Sequence, residues 1–458
     1  MTSFYIRMRR NLSQTHPEQR YNFSVELIVI FFTLLCGVCR ALPPETNTRD
    51  SIYTTQGDAL INQCNFDNIR TIQLYPEGSP MAFPLLELGG GYNLELHFDD
   101  LDAAYQDYSY RFVHCTADWK PSGLMADEFM TGFSDNPIMN YRPSFNTLRT
   151  YTHYSLRLPN NDVQFTISGN YIIKVYLRND PEQVVFTRRF LVLDRKLTIK
   201  PDLKRASRLD DMNYKQEIDF EVYRGNYRIE DPYGALKTVI LQNSRWDNAK
   251  TDMKPLFVKD DVLIFDDALD NVFPGGNEFR FFDVKSTRYW SERIKNITSD
   301  SSGFHITLLN DEKRSFKRYY SYSDLNGSRL IAVQEGRDPE TDADYVGVTF
   351  TLPMAHPVNG GDLFIFGALS DWQCKEQFRM HFDKERLAYK AKLNLKQGYY
   401  NYSYAFLEKG FTEADLTLIE GTHSETENDY IILIYDHPFG SDYDHLIGFL
   451  QFNSMNKL

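Results

Sequence analysis

The stretch Tyr108-Ser-Tyr-Arg-Phe-Val-His-Cys115 decides how the chain is read. Tyr108, Tyr110, Phe112 and His114 fall on one set of alternate positions, and Arg111, Val113 and Cys115 on the other. Successive side chains of a strand point to opposite faces, so the period of two predicts a β-strand. The same reading separates His114 from Cys115. Side by side they suggest a thiol nucleophile with its base, or two zinc ligands. A strand aims them apart unless a bulge intervenes. The stretch therefore predicts a packed histidine and a buried cysteine, free cysteine being among the most buried residue types.

Outward from this strand the pattern repeats. Ile69–Tyr75, Tyr92–Phe98, Thr152–Pro159, Gly169–Leu177 and Val184–Leu193 are short strand candidates parted by Gly, Pro, Asn and Asp turns. Six or seven such strands within residues 50–197 predict a first β-sandwich of immunoglobulin type. The segment Thr198-Ile-Lys-Pro-Asp202 reads as its exit linker. A second β unit, 198–340, holds strand candidates at 217–224, 237–243, 262–267, 277–284 and 303–309. The acidic, turn-rich run Glu335–Asp344 marks a boundary, and a third unit, 345–458, has strands at 345–353, 361–372, 389–395, 399–407 and 430–435. Helix signals are few, with one turn expected within 412–421. The expected fold class is all-β, with tandem immunoglobulin-like β-sandwich domains. Composition agrees: 33 Phe and 30 Tyr in 458 residues favour strands over helices.

Residues 1–41 read as a secretory signal peptide rather than fold. Arg7, Arg9, Arg10 and Arg20 precede a short apolar core, Leu27–Val38, and a small residue, Ala41. That core is shorter than the roughly 20 residues of a spanning helix. The basic region is long enough to put the start codon in doubt, Met8 being the alternative. Leu35 and Val38, not small residues, precede Cys36 and Cys39, against lipidation. No later stretch reads as a membrane helix, and most strands are shorter than the 9–11 residues of a membrane barrel. The whole chain carries 50 basic and 63 acidic residues, and 1–41 hold five Arg and two Glu. The remainder has 45 basic against 61 acidic residues, a net charge of −16. Such a chain is repelled by phosphate backbones and anionic lipid, so nucleic-acid binding is not expected. After residue 41 only Cys64, Cys115 and Cys374 remain, which is no disulfide framework. Cys64 and Cys115 could pair, but nothing in the sequence sets their distance.

Other candidates for chemistry read as structure. Asp99-Asp100-Leu101-Asp102 offers oxygen ligands for calcium, but its spacing matches no EF-hand, and a solvated loop is expected. Gly89-Gly90-Gly91, Ser168-Gly169-Asn170 and Gly275-Gly276-Asn277 are turns, none opening a helix as a phosphate loop must. Trp119 and Pro121 are expected to fix a loop, and Asn277 and Glu278 to follow a tight turn. No Ser, His and Asp set is framed by a nucleophile elbow. No catalytic residue, cofactor or metal ligand is assigned.

Two resemblances add to this reading. "FIFGALSDWQ" (364–373), with Met380, Tyr389–Leu395 and "KQGYYNYSYAF" (396–406), resembles the glycogen-binding immunoglobulin-like (early-set) modules. It implies a sugar-stacking role for Trp372, and with it an alternative reading as a periplasmic carbohydrate-binding β-sandwich protein. Over a longer span, "HCTADWKPSGL" (114–124), "SFNTLRTYTHYSLRLPN" (144–160), "SGNYIIKVY" (168–176), "LQNSRWDNA" (241–249), "FPGGNEFRFFD" (273–283), "GTHSETENDYIILIY" (421–435) and "DYDHLIGF" (442–449) resemble the type IX secretion system plug proteins. The likeness covers nearly all of 50–450. It implies a non-enzymatic periplasmic protein that binds and seals the SprA/Sov-type outer-membrane translocon barrel. The partner-contact residues are unknown.

Overall fold

The alternation read from the sequence becomes three two-layered β-cores in a computed structural model that describes residues 59–178 and 180–455. The expected signal, 1–41, lies outside the described residues. In the first core one sheet runs Gln63–Cys64, Asp180–Leu193, Gly169–Leu177, Tyr108–Cys115, Asn136–Pro137. The facing sheet runs Ile69–Pro76, Leu94–Asp100, Thr152–Leu158, Asn140–Pro143. Aromatic rings fill the space between them. Phe98 stacks on Tyr154 with centroids 5.0 Å apart and meets Phe186 edge-on at 5.0 Å.

The second core sets a sheet around Lys215–Tyr223 against one ordered Lys250–Thr251, Leu236–Gln242, Asp429–Asp436, His445–Asn453. The third core holds Arg280–Asp283, Arg329–Ile331 and Gly361–Phe366 on the long strand Gly398–Glu408, opposite a five-stranded sheet centred on Tyr345–Pro353. Chain order and sheet membership thus part company. Leu236–Gln242 pairs antiparallel with Asp429–Asp436 across the whole third core, and Arg280–Asp283 pairs with Gly398–Glu408. A division at 340–345 therefore does not separate the sheets. The segment read as an exit linker is a strand, Thr198–Arg205, paired with Lys215–Tyr223. It lies at a sheet edge, where Pro201 interrupts no internal ladder.

The apolar run at Tyr430–Tyr435 is explained by burial on both faces. Tyr430, Ile432 and Ile434 enter the second core. Ile431, Leu433 and Tyr435 enter a further apolar layer with Cys115, Trp119, Ile172, Leu191 and Leu193 of the first core. Each fully buried aliphatic side chain contributes about 1.5–3 kcal/mol, so this layer welds the first and second cores. The helical turn expected within 412–421 is Thr417–Glu420.

Candidate functional site

The stretches singled out in the sequence converge where the cores meet. Trp119 is held by a turn, its backbone N–H donating to Thr116 O at 2.9 Å. Its ring meets Trp246 edge-on at 5.0 Å. The Arg189 guanidinium lies 4.3 Å from the Trp119 ring centroid and 5.3 Å from that of Trp246, a cation–π arrangement. The Ala117 N–H donates to Asp444 Oδ2 at 2.8 Å, and Lys237 Nζ reaches the same oxygen at 3.0 Å. Asn170 Nδ2 donates to the carbonyls of Thr116 and Ala117, while its oxygen accepts from the Tyr435 hydroxyl at 2.7 Å. Asn428 Nδ2 donates to Gly275 O at 2.9 Å, and Asn243 Nδ2 to Asn428 Oδ1 at 2.7 Å. Gly275 allows the close approach, for a Cβ there would lie 1.9 Å from His423 O. These residues satisfy buried backbone groups at the seams.

The loop carrying Trp372 joins the third core to the first. Asp371 and Trp372 adopt left-handed backbone, at φ 53° and 56°. Asp371 Oδ2 accepts from Arg188 Nη2 at 3.0 Å, and Gln373 Nε2 donates to Asn62 O at 2.8 Å. Nearby, Arg329 Nη2 donates to Ile72 O at 3.1 Å. Burial pushes the Asp371 carboxyl up, but Arg188 and then Lys375 outweigh it and hold the group below its ordinary value. The Trp372 ring packs edge-on against Phe279 and Phe366, and a Cβ on Gly327 would lie 2.2 Å from its Cη2. Trp372 and Trp119 both line one cavity of about 280 Å³ at this junction, with Trp246, Phe366 and Arg188. Trp372 thus packs into the third core, while its neighbours Asp371 and Gln373 make the bonds to the first.

His114 and Cys115 point to opposite sides of their strand. His114 lies against Tyr171 and Tyr443, its Nδ1 2.9 Å from Ser122 Oγ and its Nε2 3.2 Å from Ser168 O. Burial pushes it down to about 4. Cys115 lies in the apolar layer between cores, where burial pushes its thiol up to about 12. That environment opposes formation of a thiolate. Cys64, Cys115 and Cys374 are all free thiols.

The solvated loop expected at Asp99–Asp102 is replaced by buried structure at its first two residues, which end the strand Leu94–Asp100. Period two sends their carboxylates to different partners. Asp100 accepts from Asn68 and from the Tyr108 hydroxyl. Asp99 accepts from His153, Tyr345 and Lys396. Burial pushes Asp99 up, but Lys396 and His153 outweigh it and hold it below the ordinary carboxylate value.

Two clusters among the described residues have donor atoms close enough to share a metal ion. In Glu217, Asp219 and Asp266 the Lys204 ammonium already lies 3.2 Å from Glu217 and 2.5 Å from Asp219. In the other, His97, His153 and Glu340 meet although 56 and 187 residues part them in sequence. Sequence reasoning missed this group. Its signal is a strand register, Asp99 opposite His153 and His97 opposite Ser155, and register is not readable from spacing alone.

The segment from Met125 to Leu148 leaves large apolar side chains in solvent. Met125, Phe133, Met139 and Phe145 are each at least 70% exposed. No helix among the described residues is long and apolar enough to cross a membrane.

Comparison with known proteins bears on this architecture. The family model for the type 9 secretion system plug protein 1st domain matches residues 69–194, which span most of the first core. A crystal structure of a hypothetical protein from Parabacteroides merdae ATCC 43184 aligns at 33% identity with a TM-score of 0.84, covering 86% of this chain and 100% of that one. Trypsin-activated alpha-2-macroglobulin from Escherichia coli aligns at 11% identity and a TM-score of 0.17, over 83% of this chain and 15% of that one, too distant to carry an argument. No curated protein matches. The first core, residues 69–194, thus belongs to the type 9 secretion system plug protein 1st domain family, and the chain as a whole is similar to the Parabacteroides merdae protein.

Proposed function

We propose that this protein is the non-enzymatic plug that binds and seals the periplasmic opening of the SprA/Sov-type outer-membrane translocon of type IX secretion. The reading rests on the family match over the first core. The physical build suits it. A seal must not deform, and the three cores share one compact unit, with an apolar layer and a buried ion pair, Lys396 with Asp99, at the seams. A seal also needs a surface for a partner. The exposed apolar side chains of Met125–Leu148 offer one, since apolar patches on an otherwise acidic protein commonly mark interaction sites. A specific, stable contact buries about 1,200–2,000 Å².

The test is purification of tagged protein from the envelope of its native host. A very large outer-membrane barrel should come with it, and deleting the gene should leave that barrel assembled but permeable to large antibiotics. No barrel in the eluate and no added permeability overturn the reading. A Phe133→Asp, Met139→Asp, Phe145→Asp variant should fold yet lose the barrel. If it keeps the barrel, the contact lies elsewhere on the molecule.

A further inference from the structure

The geometry points to a zinc site formed by His97, His153 and Glu340, bridging the first core to the segment that leads into the third. Two imidazole nitrogens and one carboxylate define it. His97 Nδ1 and His153 Nε2 are 3.1 Å apart, His97 Nδ1 is 3.4 Å from Glu340 Oε1, and His153 Nε2 is 3.5 Å from Glu340 Oε2. Tetrahedral Zn²⁺ holds nitrogen and oxygen ligands at about 2.0–2.2 Å, which sets its ligands about 3.3 Å apart. One ion at the centre of this triangle therefore meets all three with little movement.

The surroundings hold the donors in place. His153 Nδ1 donates to Asp99 Oδ1 at 2.7 Å, which leaves Nε2 with its lone pair facing the site. A carboxylate on the far nitrogen is the usual support for a metal-bound histidine. Asp99 is itself fixed by Lys396 Nζ at 2.6 Å and the Tyr345 hydroxyl at 2.7 Å. The His97 ring is stacked between Tyr75 and His153, with centroids 5.4 and 5.3 Å away. Glu340 is anchored from behind, its carbonyl accepting from Lys396 at 2.7 Å and from the Tyr151 hydroxyl at 3.0 Å, and its Oε2 contacting Arg142. Both histidines are buried, whereas the Glu340 side chain is 35% exposed. The fourth position thus opens to water.

Two further observations favour an ion. Without one, and with both rings neutral, His97 Nδ1 carries the proton shared with His153 Nε2, and the buried His97 Nε2 is then an acceptor with no partner. With an ion on Nδ1 the proton moves to Nε2, which lies 3.9 Å from the Glu95 carboxylate. Charge agrees as well. Around the triangle Glu95, Asp99, Asp338 and Glu340 face three cations, Lys396, Arg142 and Arg157, a surplus of one negative charge. In the Glu217 cluster Lys204 bonds two of the three carboxylates, whereas here Arg142 contacts only Glu340 Oε2 and leaves Oε1 and both imidazole nitrogens to the site. Imidazole and carboxylate donors at tetrahedral spacing suit Zn²⁺ better than Ca²⁺ or Mg²⁺, which take oxygen ligands.

The test uses the purified full chain, stripped with chelator and titrated with zinc chloride by calorimetry. One Zn²⁺ per chain is expected, with a rise in the thermal unfolding midpoint. Glu340→Gln keeps the side-chain volume at a partly exposed position and should weaken binding at least tenfold. His153→Gln should abolish it, and Glu217→Gln should leave it unchanged. Co²⁺ in place of Zn²⁺ should give the strong visible absorption of a four-coordinate centre. Binding that is absent, that survives both Glu340→Gln and His153→Gln, or that gives the weak absorption of a six-coordinate Co²⁺ overturns the assignment. None of these readouts depends on the secretion role.

Discussion

Replacing Asp371 by Asn, which tolerates the left-handed backbone there, removes the carboxylate charge that ties the third core to the first. Arg188 is 6% exposed in its side chain and Asp371 is 22% exposed, so the pair sits between a surface bridge and a fully buried one. Exposed pairs contribute about 0–1 kcal/mol, whereas breaking a buried pair costs about 3–5 kcal/mol because a charge is left behind. Arg188 would keep the Thr187 carbonyl at 2.8 Å and the Gln63 carbonyl at 3.5 Å, which softens the loss. The expected cost is about 2 kcal/mol, between the two limits. It is read as a lowered urea midpoint at unchanged slope. A cycle with Arg188→Met should return a coupling of about 1.5 kcal/mol, in the range found for residues in contact. A cost below about 0.5 kcal/mol with additive single changes would refute the joint. The sugar reading makes the opposite forecast: wild-type protein binds an α-glucan in calorimetry, and Trp372→Ala loses that binding with an unaltered urea curve.

Two more outcomes follow from buried titrating groups. Native protein treated with iodoacetamide should be alkylated at half-buried Cys64 before Cys115 or Cys374, which should react only on unfolding; Cys115→Ser should cost about 1–3 kcal/mol without abolishing partner binding, and early labelling of Cys115 in folded protein would contradict its placement. His114 takes a proton near 6.5 when unfolded but only near 4 when folded, so its contribution is complete above pH 6.5 and fades as pH falls toward 4, with a slope of at most about 1.4 kcal/mol per pH unit. The stability gap between wild type and His114→Gln should therefore narrow from pH 7 to 4.5, and a gap independent of pH would refute the assignment.

Period two carried much of the fold. Ile69–Pro76, Tyr108–Cys115, Gly169–Leu177 and Tyr345–Pro353 stand close to where alternation and turn residues put them. Local pattern also separated His114 from Cys115, because facing is a property of one strand. What it could not convey is partnership. Nothing local in Leu236–Gln242 says that its neighbour begins at Asp429, and nothing around His97 says that Glu340 stands beside it. Pro201 hid an edge strand behind the look of a linker. Asp99 resembled a loop residue because the buried groups that hold it, Tyr345 and Lys396, come about 250 and 300 residues later.

The return of the chain from the third core to the second has a consequence for how the protein matures. Leu236 cannot meet Asp436 until 199 intervening residues have been made and delivered, and such distant pairing is slow to form. Until the last strands dock, Cys115, Ile172, Leu191 and Leu193 lack the apolar cover they have in the finished molecule. A chain ending near residue 425 would keep the strands of its first and third cores and still show this greasy flank. Exposed apolar surface of that kind is what chaperones and proteases act on. The final two strands, Asp429–Asp436 and His445–Asn453, therefore decide when that face is covered, because the layer closes only after they dock.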